Sequence, residues 1–125
     1  MATLSKLALR PAGGATAGDG LGILVAATAT AGTAIHTADT TPSTIDEVWL
    51  YAYNNHSSSI LLTIEYGGVT APKDVIKQTL TAQNGLVLVV AGLVVQGNAT
   101  AKVIRAFAAT ASQISIFGYV NRIVV

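Results

Sequence analysis

The sequence predicts an all-β protein, built as an antiparallel β-sandwich or small barrel of about eight short strands. From Leu21 onward, Val, Ile, Thr and aromatic residues dominate, and these residue types favour strands. Gly, Asn and Ser interrupt them at regular spacing, which is typical of turns between short strands. No stretch keeps a helical period with capping residues at both ends.

Recognisable turn sequences separate the predicted strands. Asn84-Gly85 is a strong signal, because Asn-Gly suits the tight turn of a hairpin. The sequence NHSSS at 55–59 is also rich in turn-forming residues, and Gly92 is expected to bend the strand that contains it. The strands are expected at 22–29, 33–38, 47–54, 60–66, 75–80, 86–90 with a continuation at 93–95, 100–108 and 113–124.

Several predicted strands are apolar on both faces. The strand at 47–54 carries Trp49, Tyr51 and Tyr53 on one face and aliphatic residues on the other. A sandwich strand normally buries one face and exposes the other to water, so a second apolar face needs a cover. That cover is either a loop of the same chain or another subunit, and we favour a subunit. The residues expected to contribute to self-association are Trp49, Tyr51, Tyr53, Leu61, Leu93, Val94 and Val95.

The composition also favours self-association. Only 10% of the 125 residues are charged, whereas a soluble domain has roughly 25%. Because so few charged residues cannot cover the surface of a free monomer, we expect a homo-oligomer, either a dimer or a trimer. The net charge of +1 gives no field that would hold nucleic acid.

No membrane segment or secretory signal is predicted. The longest uninterrupted apolar run, LVLVVAGLVV at 86–95, is about half of the roughly 20 residues that a spanning helix needs. Pro11 and the glycines after it interrupt any apolar core of a signal peptide. We therefore expect a soluble protein that is made in the cytoplasm.

The histidines form no recognisable catalytic or metal site. His36 with Asp39 supplies two ligands, whereas zinc takes three or four, and the chain has no cysteine. His56 stands beside Ser57, but both lie in a predicted turn, where such residues are common.

Two further motifs lack the geometry of a chemical site. Asp46 and Glu47 are adjacent on a strand, so their side chains point to opposite faces and cannot flank one bond. The Gly-rich run at 13–22 lacks the Gly-Lys-Ser/Thr of a phosphate-binding loop and is interpreted as a linker. The sequence thus predicts a protein that is not an enzyme and has no metal and no cofactor.

Residues 1–20 are predicted to form an extended N-terminal arm, followed by a sandwich domain at 21–125. The arm is too short to build a core, so it must lie on something else. It either packs on its own domain or reaches a neighbouring subunit or another protein, and we favour the second alternative. The arm residues expected at that interface are Leu4, Lys6, Leu7, Leu9 and Arg10.

Four segments together resemble a group of small virion proteins of tailed bacteriophages. They are VWLYAYNN, ILLTIEYGG, QNGLVLVVAGLVVQGN and RAFAATASQISIFGYVNRI, and the resemblance covers about residues 46–123. It implies a capsid decoration (cement) protein: a β-sandwich, often jelly-roll-like, that sits on the capsid surface as a symmetric oligomer and contacts the major capsid protein. Two alternatives stay open: a neck, tail or fibre-base component of the virion, and a lectin-like binding module that uses the aromatic residues.

Overall fold

The computed structural model describes residues 2–12 and 19–125, and these form a β-sandwich of two antiparallel sheets without a helix. The predicted fold class is therefore confirmed. The strands are β1 (Thr3–Ala8), β2 (Ile23–Leu24), β3 (Thr33–Thr37), β4 (Thr44–Asn54), β5 (Ile60–Tyr66), β6 (Val75–Leu80), β7 (Val87–Gln96), β8 (Val103–Ala108) and β9 (Ile114–Val124).

The strand order follows one simple pattern. The five-stranded sheet has the order β1-β9-β4-β7, and β2 also pairs with β9, while the four-stranded sheet has the order β3-β8-β5-β6. The pairs β2·β9, β3·β8, β4·β7 and β5·β6 are all antiparallel. The pairs are nested: β5·β6 is the innermost pair, and each further pair joins the strand before it to the strand after it in sequence, out to β2·β9.

Alternation along the strands places the core between the sheets. In β4 buried and half-buried residues alternate strictly, so Val48, Leu50 and Ala52 face inward. In β5, Leu62 and Ile64 face them from the other sheet and are no more than 1% exposed. Each buried Val, Leu or Ile side chain contributes about 1.5–3 kcal/mol relative to its exposed state.

Most predicted strands are found, with one large departure. The predicted strand at 22–29 is reduced to β2, because the chain leaves the sheet after it. There the Thr33 hydroxyl accepts hydrogen bonds from the amides of Ala26 and Ala27, in place of a ladder partner. The predicted bend at Gly92 is present, with φ at +73° and a register shift in the β4·β7 ladder beside it.

The described part of the predicted N-terminal arm pairs with the sandwich of its own chain. Thr3–Ala8 is an edge strand in register with β9, from Thr3 opposite Val124 to Ala8 opposite Tyr119. Pairing with an open sheet edge satisfies backbone hydrogen bonds without a separate core. The parts of the predicted arm at residue 1 and at 13–18 lie outside the described residues.

Candidate functional site

The candidate site is the outer face of the five-stranded sheet, where five aromatic side chains gather. The half-buried set of β4 supplies Trp49, Tyr51 and Tyr53. In the β4·β9 register, Tyr119 lies opposite Trp49 and Phe117 opposite Tyr51, and residues that are directly opposite share a face. We call these five residues the aromatic face.

Trp49 holds the centre of the aromatic face. Its ring is stacked with that of Tyr119, with 6.3 Å between centroids and 13° between planes. A side chain at Gly92 would place its Cβ 2.9 Å from the indole, so the bulge in β7 and the missing side chain leave room for the ring.

Glu47 fixes the indole from the same face. The Trp49 Nε1–H group donates to Glu47 Oε1 at 2.8 Å, and Asn121 Nδ2 donates to the same oxygen at 2.9 Å. These two hydrogen bonds lower the pKa of Glu47, so its carboxylate is ionised at neutral pH. The role of Glu47 here is to orient Trp49.

Beyond the rings, the face continues as an aliphatic patch. Leu4 in β1 lies opposite Ile123, and Ile123 lies opposite Ile45 in β4. Leu4 is 70% exposed. Lys6, also in β1, places Nζ 4.5 Å from the centroid of the Tyr119 ring as a cation–π contact.

The chemistry of this surface suits burial against protein. Among the described residues, the charged side chains on it are Lys6 and Glu47, and Glu47 is already hydrogen-bonded within the chain. Buried centres of protein interfaces are depleted in charge and enriched in Tyr, Trp and Phe. The aromatic face has this composition.

The structure brings together only part of the predicted self-association set. Trp49, Tyr51 and Tyr53 lie side by side, and Val94 joins them from β7, opposite Glu47. Leu93 lies beside Val94 on the same edge strand and is 44% exposed.

Two members of that set lie elsewhere. Val95 is only 7% exposed and belongs to the core, because alternation along β7 turns it inward. Leu61 is in β5 and therefore in the four-stranded sheet, away from the aromatic face. Phe117 and Tyr119 were not predicted, although the two-residue period of the strand at 113–124 places them on one face.

The residues predicted for the arm interface also lie in different places, some exposed and some buried. Leu4 and Lys6 are exposed at the border of the aromatic face. Leu7 is half-buried against the core, and Leu9 is 5% exposed within it. Arg10 is half-buried, and its backbone N–H donates to His36 Nδ1 at 3.1 Å.

A second cluster of polar residues is buried inside the sandwich. Asp46 lies on the inner face of β4 and receives hydrogen bonds from Arg122 Nε at 2.7 Å and Nη2 at 2.9 Å. His36 Nε2 lies 2.7 Å from Asp46 Oδ2, the oxygen that also accepts from Arg122 Nη2. The histidine is fully buried. We call His36, Asp46 and Arg122 the buried triad.

Hydrogen bonding fixes the tautomer of His36. Nδ1 accepts from the backbone N–H of Arg10, so the ring proton lies on Nε2 and is donated to Asp46. Both ring nitrogens are therefore engaged. A His–Asp pair in this state has no nitrogen left to take a proton from a nucleophile, so the buried triad ties strands together.

Burial alone would raise the pKa of Asp46. The hydrogen bonds that Asp46 accepts from Arg122 and His36 contribute most to the opposite effect, and the pKa is lowered from 3.8 to about 2. Asp46 is thus ionised at neutral pH although it is 1% exposed.

The other sequence motifs have local roles. His56 lies after β4, where its Nδ1 accepts a hydrogen bond from the Ser58 amide. Asp39 accepts a hydrogen bond from the following amide of Thr40, and both ring nitrogens of His36 are engaged by Asp46 and the Arg10 amide. The described ranges hold no group of three or more His, Asp or Glu residues that could bind a metal ion. Asp46 and Glu47 point to opposite faces, as predicted.

The comparisons with known proteins give no match: neither a protein family, nor a curated protein, nor a solved structure corresponds to the chain. In the part of the chain that the structure describes, no helix is long and apolar enough to cross a membrane.

Proposed function

We propose that the chain is a structural virion protein that decorates, or cements, a bacteriophage capsid and binds the shell as a homo-oligomer. The observation that carries this proposal is the aromatic face, a broad apolar surface on which Lys6 and Glu47 are the charged side chains among the described residues. A protein that works only when covered by other protein needs such a surface and needs no reacting groups.

The resemblance to small tailed-phage virion proteins gives the proposal its biological setting. It lies in the aromatic strand, in TIEYGG and in the closing GYVNRI, and these are the segments that form β4, β5 and β9. The partners are then the major capsid protein and further copies of this chain. The site of action is the capsid surface, after synthesis in the host cytoplasm.

We further propose that the sandwich is of the jelly-roll type. Such folds have eight strands in two sheets and are built from two Greek keys. The nested pairing of β2 to β9, with β5·β6 as the innermost pair, supports this assignment. Here β1 is an additional edge strand on β9.

Capsid binding can be tested with shells of the parent phage that lack the protein. Purified chain is mixed with shells and sedimented, and bound protein is counted per shell. We expect saturable binding that Tyr51→Lys weakens, because the substitution puts a charge in the aromatic face. Leu61→Lys, on the other sheet, is the matched control and should bind normally. Equal binding of both variants would contradict the assignment of this face.

The same count separates decoration from the neck, tail or fibre-base alternative. Decoration requires copies spread over the whole shell, whereas a neck or tail component occupies one vertex or one ring. Labelled protein found at a single vertex would replace the proposal by that alternative.

A lectin-like module is the second candidate, and the five clustered rings favour it. Sugars stack on exposed aromatic rings, and Trp49 is the only tryptophan in the chain, so its fluorescence reports on binding to this face directly. Quenching by a defined glycan, combined with no binding to shells, would support this candidate instead.

A further inference from the structure

We propose that two copies of the chain associate through β7, which pairs antiparallel with β7 of the second copy across a two-fold axis. The two five-stranded sheets would then join edge to edge and their aromatic faces would form one surface. The proposal deepens the virion function above, on which it rests for its setting, by naming the surface of self-association.

The strand β7 is an open and uncharged edge. It ends the order of the five-stranded sheet, and no strand of the described ranges pairs with its outer side. Its ten residues, Val87–Gln96, contain no charged residue and no proline. The uncharged stretch around it extends from Gln78 to Ala101. A long apolar edge of this kind is a template for pairing with another strand.

The other edges of the sandwich carry the usual protection. Lys6 lies in β1 and Lys77 in β6, and lysine on an edge strand opposes strand addition. The edge of β3 is already occupied: the N–H of Thr37 donates to the carbonyl of Arg10, and its hydroxyl donates to that of Pro11. In contrast, β7 carries no lysine, and no backbone segment of the described residues lies along it; the Tyr66 hydroxyl donates to the carbonyl of Leu93 at 2.9 Å.

The last part of β7 has the geometry that pairing needs. The bulge at Gly92 interrupts the ladder, but from Leu93 to Gln96 the strand is in regular register with β4. The N–H of Gly97 donates to Thr44 in the direction of β4. By alternation, Val94 and Gln96 direct their backbone groups to the open side. A register that uses both residues pairs Val94 with Gln96 of the other copy and places Val95 at the axis.

A second copy of the same chain is the occupant that fits this edge. In a two-fold contact the residues of β7 meet residues of the same strand in the second copy, so any charge on β7 would lie close to a like charge. The edge has none to repel. The large hydrophobic side chains exposed on it are Leu88 at 44%, Leu93 at 44% and Val94 at 57%, and the exposed polar residue, Gln96, is uncharged. Sheet continuation would cover them while pairing the open backbone groups.

Sedimentation and light scattering over a range of protein concentrations test the proposal. We expect a dimer whose dissociation constant rises about tenfold or more with Val94→Lys, because the two lysines then lie diagonally across the axis on the same face of the joined sheet. Glu47, opposite Val94 in the same copy, gives the lysine a partner, so the variant should fold. Val69→Lys, at a comparably exposed valine outside β7, should leave the dimer unchanged.

A second variant acts on the backbone alone. Val94→Pro removes an N–H that points to the open side, so it should spare the β4·β7 ladder and abolish the dimer. A protein that is monomeric at every concentration, or a dimer that neither Val94 variant weakens, overturns the proposal.

Cross-linking gives the contact directly, because the chain has no cysteine of its own. Single cysteines at 94, 95 and 96 should form disulfide-linked dimers most readily nearest the axis, and Leu61→Cys should not. Cross-linking at Leu61→Cys but not in β7 would refute the edge contact. Shell binding is measured separately, so a monomer that binds shells removes only the edge contact. A β7 dimer that binds no shell removes only the virion function.

Discussion

Asp46→Asn tests the buried triad most directly, because it changes hydrogen bonding with almost no change in shape. Asparagine offers one oxygen and one NH₂ group where Asp46 has two oxygens. If its oxygen takes the place of Oδ1, its NH₂ group faces the Nε2–H of His36; if it takes the place of Oδ2, its NH₂ group faces the Nε–H of Arg122; in both orientations two donors oppose each other. If His36 moves its proton to Nδ1, that proton faces the backbone N–H of Arg10 instead. Either arrangement leaves an unsatisfied donor in a fully buried place.

The structure sets the size of the expected effect. The lowering of the pKa of Asp46 from 3.8 to about 2 corresponds to about 2 kcal/mol of stabilisation of its carboxylate in the folded state. The variant also leaves Arg122 without its charged partner, and removal of one partner from a buried ion pair costs about 3–5 kcal/mol. We therefore expect Asp46→Asn to lower the free energy of unfolding by about 3–5 kcal/mol.

Urea unfolding followed by the fluorescence of Trp49 measures this directly, at one fixed protein concentration for all variants. Asp39→Asn is the matched control, since Asp39 is only half-buried and bonds to its neighbouring amide; its cost should stay below about 1 kcal/mol. A loss below about 1 kcal/mol for Asp46→Asn would refute the assigned hydrogen bonding.

The pH dependence provides an independent check of the same reasoning. The pKa of Asp46 is lower in the folded than in the unfolded chain, so its contribution is fully present above about pH 4 and is lost as pH falls towards 2. The wild type should lose about 2 kcal/mol more than Asp46→Asn across that window. Parallel stability curves for the two proteins would contradict the lowered pKa.

Two further predictions concern the aromatic face. Gly92→Ala should lower the free energy of unfolding more than Gly85→Ala does, and it should shift the fluorescence emission of Trp49. Both glycines have a positive φ, which costs alanine about 1–2 kcal/mol. Of the two, Gly92 is the position where the new Cβ would meet the indole. Urea unfolding of both variants measures the difference, and equal costs would show that the ring yields freely. Lys6→Gln removes the cation–π contact with Tyr119 and should cost no more than about 1 kcal/mol in the same assay; a loss above about 2 kcal/mol would mean that Lys6 does more than cover the ring.

Local patterns were sufficient to predict most strands but not the N-terminal one. The bounds of β5 and β6 agree with the prediction, because their hydrophobic period and flanking turns are contained in the segments themselves. The strand β1 has no such signal. It forms because β9, at the other end of the chain, has an edge to which Thr3–Ala8 can pair. A separate arm was therefore predicted where the structure has an edge strand.

The sequence was sufficient to predict part of the aromatic face but not the buried triad. The period of β4 was enough to place Trp49, Tyr51 and Tyr53 on one face and to separate Asp46 from Glu47. It could not give the partners of Asp46, because His36 and Arg122 reach it from different strands whose registers the sequence does not reveal. A second face of a strand was expected to be covered by a loop or by another subunit. On the outer side of β5 a loop of the same chain covers it, because Thr30 and Gly32 of that loop donate hydrogen bonds to buried Glu65.

The distribution of charge makes the surface less polar than the composition alone implies. Asp46 and Glu65 are buried, and Glu47 is half-buried and holds Trp49 and Asn121. These three carboxylates therefore act within the molecule rather than at its surface. The charged side chains that remain exposed are Lys6, Asp19, Lys73, Lys77 and Lys102. Of these, Lys6 borders the aromatic face, and its ammonium group already lies over Tyr119. Because burial of this face against protein would desolvate so little free charge, it is the surface of the molecule best suited to permanent contact.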